Sequence, residues 1–64
     1  MRTIRNFVHA PRLEALRARH QALEAKIEHE QQRPLPDFVL VTSLKRTRLA
    51  VKEEIVAIER MAAA

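Results

Sequence analysis

The sequence predicts an all-α protein: an antiparallel two-helix hairpin, coiled-coil-like in its packing, that oligomerises into a helical bundle. Three observations lead there. Apolar residues recur at alternating intervals of three and four in two separate segments, the spacing that keeps side chains on one face of a helix. Between those segments lies Arg33-Pro34-Leu35-Pro36-Asp37, where each proline removes a backbone donor and disfavours helix in the residue before it, so the chain must turn. The composition has no Gly, Cys, Trp or Tyr and only two Phe, its apolar content being mostly Ala, Leu, Val and Ile, which favours helix.

The elements follow in order. Residues 1–10 precede the periodic pattern, with Ile4, Phe7 and Val8 beside Arg2 and Arg5, and are expected to form a flexible or docking segment. Pro11 suits the first turn of a helix, where its missing N–H has no partner to lose, and Glu14 complements the positive end of the dipole. A first helix is expected over residues 11–32, with Leu13, Leu16, His20, Leu23 and Ile27 as its packing seam. Residues 33–36 form the turn. A second helix is expected over 37–61, with Asp37 as its cap or in its first turn, and Val41, Leu44, Arg48, Val51, Ile55 and Ile58 as the facing seam. The hairpin thus spans 11–61, and residues 62–64 are a tail.

Folding the helices back on each other fixes a register: Ile27 meets Leu44, Leu23 meets Arg48, His20 meets Val51, Leu16 meets Ile55 and Leu13 meets Ile58. The residue numbers of every pair total 71, which places the midpoint between Leu35 and Pro36. A connection this short is normal for two antiparallel helices.

Sixty-four residues make at most one small domain. At that size a single core rarely supplies more than about 3–5 kcal/mol, and without Cys no disulfide or thiolate metal site adds to it. Association is the expected remedy. Runs of apolar residues such as 38–41 fall far short of the roughly 18 residues a membrane span needs, and no signal-peptide core follows Met1, so a cytoplasmic protein is expected, with no membrane role.

The second helix carries more apolar residues than its seam uses. Leu49 and Val56 lie on another face with Ala50 and Ala57 beside them, and Phe38, Val39 and Leu40 add to the excess. These five larger residues form the candidate interface, because contiguous exposed apolar surface on a small protein marks a binding site. On the first helix Ala15, Ala18, Ala22 and Ala25 form a smooth strip that serves helix propensity or allows another helix to approach closely.

Twelve Lys or Arg against eight Asp or Glu give a net charge of +4. Lys45, Arg46, Arg48 and Lys52 are the densest positive cluster and the candidate anion patch, with Arg17 and Arg19 as an extension. Phosphate contacts could use it, which makes a nucleic-acid-binding accessory protein the alternative reading. No aromatic platform for stacked bases and no zinc-finger or basic-zipper signature accompanies it, however. In the seam itself, His20 is expected to turn a ring nitrogen to Glu24 or solvent, and Arg48 to pack its stem on Leu23 while its guanidinium reaches Glu24 or Glu28.

The strings His20-Gln21-Ala22-Leu23-Glu24-Ala25-Lys26-Ile27 and Leu44-Lys45-Arg46-Thr47-Arg48-Leu49-Ala50-Val51-Lys52-Glu53-Glu54-Ile55, joined through Arg33-Pro34 and Pro36-Asp37, resemble the YdcH-like family of short bacterial proteins of unknown function. The resemblance covers roughly residues 12–59 and implies a helical hairpin that associates with copies of itself. This chain departs from the pattern after the turn. Similar sequences are polar or acidic where it has Phe38-Val39-Leu40-Val41, and Thr47, Arg48, Ala50 and Glu53 replace more usual residues, which favours a dedicated protein partner.

Chemistry of its own is not expected. His9, His20 and His29 are separated by eleven and nine residues, which does not set two imidazoles on adjacent turns for a metal. Ser43 has no His near it in sequence, and no Gly-rich loop can cradle phosphate. A two-helix rod also lacks a pocket that excludes water, so no catalytic residue, cofactor or small-molecule substrate is assigned.

Overall fold

A computed structural model describes the backbone of residues 2–63 and the side chains of residues 10–63. The side chains of Ile4, Phe7, Val8 and His9, and residue Ala64 of the expected tail, lie outside the described part. Two helices make up the fold, α1 (Arg2–Gln31) and α2 (Phe38–Ala63). They pack along each other as an antiparallel hairpin measuring 52 × 14 × 11 Å.

Helix α1 starts earlier than the sequence suggests. Its backbone continues from Pro11 back to Arg2, so residues 2–10 belong to the same helix instead of forming a separate segment. Proline fits here by giving up one backbone hydrogen bond, and no Gly or second Pro in residues 2–10 stops the helix.

The connection is longer than expected, with residues 32–37 non-helical. It closes in a tightening spiral: Gln32 N donates to Glu28 O at 3.1 Å, and Arg33 N to Glu30 O at 3.3 Å. Pro34 then has no N–H to continue the helix. On the far side Asp37 caps α2, its Oδ1 accepting from Leu40 N at 3.0 Å, and its carbonyl begins the helix by accepting from Val41 N at 2.9 Å.

The core is a single seam. Leu16, Leu23, Val51 and Ile58 are buried together, with Leu13, Leu44 and Ile55 packed against them. Ile27 and Val41 are buried at the turn end, while His20 and Arg48 are half-buried in the middle. Val41 therefore belongs to the core although it sits in the run with Phe38, Val39 and Leu40.

Two interhelical ion pairs lock the register. Arg12 Nη2 lies 3.1 Å from Glu54 Oε2, and Arg17 Nη2 lies 2.9 Å from Glu59 Oε2. With Leu13 at heptad position a and Ile58 at d, these pairs are g to g and e to e, one on each flank of an antiparallel coiled coil. Their residue numbers total 66 and 76, symmetric about the 71 of the seam pairs. All four side chains are about half exposed or more, so each pair contributes at most about 1 kcal/mol and sets alignment more than stability.

A residue absent from the predicted seam completes it. Glu30 follows Ile27 by three, at the next seam position, and is only 5% exposed. Its carboxylate receives Arg33 Nη1 at 2.9 and 3.0 Å and the backbone N of Asp37 at 3.3 Å. A buried carboxylate is costly unless its oxygens are hydrogen-bonded, and here both are. Glu30 thereby ties the end of α1 to the start of α2.

Candidate interaction surface

Because each helix has only the other to pack on, the outer half of each faces solvent. On α2 that half is apolar to an unusual degree. Phe38 is 73% exposed, Val39 81% and Leu49 60%, with Leu40 also exposed. Leu35, between the two prolines and 87% exposed, stands beside them, though periodicity does not mark it.

The five candidate interface residues do not form one continuous strip. Phe38 and Val39 line a shallow groove with Thr42, Ser43 and Arg46 near the turn. Leu49 lines a second groove with His20, Glu24, Lys45, Arg48 and Lys52. Val56, which is half-buried, lines a third with Lys52, Glu53, Ala57 and Arg60. Successive residues on a helix are 100° apart, so a run contiguous in sequence spreads around the helix and divides between grooves.

The same geometry divides the candidate anion patch. Lys45, Arg48 and Lys52 share one groove, and Arg46 faces the other with Phe38 and Val39. Arg17, expected to extend the patch, is held by Glu59.

The middle groove lies beside the polar part of the seam. His20 and Arg48 occupy adjacent layers, with Val51 and Leu23 as their partners in the register, and both reach the same flank. His20 Nδ1 lies 3.1 Å from Glu24 Oε1. Arg48 was expected to reach Glu24 or Glu28 and does neither. Glu24 is engaged by His20, and Glu28 accepts a hydrogen bond from Gln32 at 3.3 Å. Among the described residues Arg12, Arg17 and Arg33 each hold a carboxylate, whereas Lys45, Arg48 and Lys52 hold none.

No described helix is long and apolar enough to cross a membrane. Grooves open to solvent, a core one seam wide and exposed leucine and valine on the outer face of α2 describe a small helical hairpin. The family model described as "Protein of unknown function (DUF465)" matches residues 13–59, and the chain belongs to that family of short bacterial proteins, within which the YdcH-like proteins fall. No curated protein and no solved structure matches the chain.

Proposed function

We propose that this chain is a small non-enzymatic interaction protein of the bacterial cytoplasm that docks through the outer face of α2. The partner is a second copy of itself, with the alternative that it serves as an accessory subunit of a larger complex. One observation carries the reading: Leu35, Phe38, Val39 and Leu49 are each at least 60% exposed on a rod whose core, among the described residues, is one seam. Apolar surface left in water in this way is stabilised by being covered, at roughly 25 cal/mol for each Å² removed from water. The exposed strip of Ala15, Ala18, Ala22 and Ala25 on α1 supports a helical occupant, since small side chains let a second helix approach closely.

The test is amide chemical shifts on dilution. From high to low micromolar concentration, signals of Val39, Leu40, Leu49 and Val56 are expected to move while those of the seam residues Leu23 and Val51 stay fixed. Spectra unchanged across that range would remove self-association and leave the accessory-subunit alternative.

A further inference from the structure

The middle groove concentrates what the rest of the surface keeps apart. It is lined by His20 and Glu24 of α1 and by Lys45, Arg48, Leu49 and Lys52 of α2. Three of these six are cations with no carboxylate partner among the described residues, and the one carboxylate present is engaged by His20 at 3.1 Å. Arg48 is the most informative of the three. It occupies a seam position, is half-buried and holds no carboxylate among the described residues, so an arriving anion would supply the counter-ion it lacks. With three cations against one carboxylate, the groove is also net positive, which favours a ligand of the opposite sign. Between the two lysines in sequence stands Leu49, largely exposed, and Val56 continues its face one heptad further on.

We propose that this groove receives an acidic amphipathic helix of a partner protein, whose carboxylates meet Lys45, Arg48 and Lys52 while an apolar side chain covers Leu49. The proposal rests on the reading of the chain as an interaction protein, in its accessory-subunit form, and adds the chemistry of that heterologous partner. Three features select a polypeptide. Lys45 and Lys52 are a heptad apart, about 10.5 Å along the axis, which is the repeat of carboxylates seven residues apart on a helix lying alongside α2. Leu49 offers apolar contact that a phosphodiester backbone would leave unmatched. Of the two Phe in the sequence, the described one, Phe38, lines a different groove, so among the described residues no phenylalanine, tyrosine or tryptophan offers a base a stacking platform here. The groove is open along its length and does not enclose a small molecule.

The probe is a synthetic helical peptide of about 20 residues with glutamate at every seventh position and leucine between, followed by fluorescence anisotropy at low salt. Its control has glutamine in place of each glutamate. The acidic peptide is expected to bind the intact chain and the control to bind at least about tenfold more weakly. Lys45→Gln combined with Lys52→Gln is expected to weaken binding by a similar factor, and Arg46→Gln, which faces a different groove, to leave it unchanged. Arg48→Gln is measured beside its circular dichroism spectrum. If that variant unfolds, the two exposed lysine replacements still decide the matter. Undiminished binding by the Lys45→Gln, Lys52→Gln variant overturns the proposal. So does tighter binding of an oligouridylate with the same residue dependence, which would assign the groove to a phosphate backbone. Self-association through the apolar residues on the outer face of α2 does not need the groove cations. A chain that self-associates yet ignores the acidic peptide therefore refutes the partner's chemistry and leaves the interaction reading standing.

Discussion

Arg33 reaches back across the turn to place Nη1 2.9 and 3.0 Å from the two carboxylate oxygens of Glu30, and the two ends of that pair live in different environments. The Glu30 side chain is 6% exposed, the Arg33 side chain 57%. That asymmetry sets which deletion costs more. Removing Arg33 leaves a buried carboxylate with the Asp37 N–H as its remaining donor, whereas removing Glu30 leaves a guanidinium that water can solvate. Arg33→Ala is therefore expected to destabilise the hairpin by about 2–3 kcal/mol and Glu30→Ala by about 1–2 kcal/mol, read from urea denaturation. Equal losses would mean that the carboxylate is not the buried partner.

A second contrast separates the seam from the outer face of α2. Leu23 is buried and Leu49 is not, although both are leucines in mid-helix. Leu23→Ala is expected to cost about 2–4 kcal/mol and Leu49→Ala less than about 0.5 kcal/mol, measured by thermal or urea unfolding at low concentration where association does not contribute. Similar costs at the two positions would contradict the packing.

The continuity of α1 through Pro11 makes a third expectation. A proline inside a helix disfavours it by about 3 kcal/mol relative to alanine, so Pro11→Ala should raise ellipticity at 222 nm and slow hydrogen exchange of the backbone in residues 2–10. Unchanged exchange there would indicate that the helix does not depend on this position.

The fold class was legible because the two stripes and the double-proline bend agree on one geometry, and the family model rests on the same stretch. What escaped has physical reasons. Pro11 looks like a helix start because that is where proline costs least, yet no Pro or Gly in residues 2–10 breaks a helix. Glu30 is hidden in the sequence because a carboxylate looks like the end of an apolar stripe. Its spacing of three from Ile27, with Arg33 three residues on, was the available signal. Arg46 was grouped with Lys45 by adjacency in sequence, although neighbours on a helix point 100° apart. That His20 lies beside Glu24 while Arg48 holds no carboxylate depends on side-chain rotamers that spacing does not encode.

The measurement closest to the central claim is sedimentation velocity of the wild-type chain and of Leu49→Glu, Val56→Glu at high micromolar concentration, with circular dichroism of both. The account predicts wild-type species heavier than one chain, and a variant shifted toward the monomer with its helicity retained. A wild-type chain that sediments as a helical monomer, or a variant that associates as strongly as wild type, would contradict it.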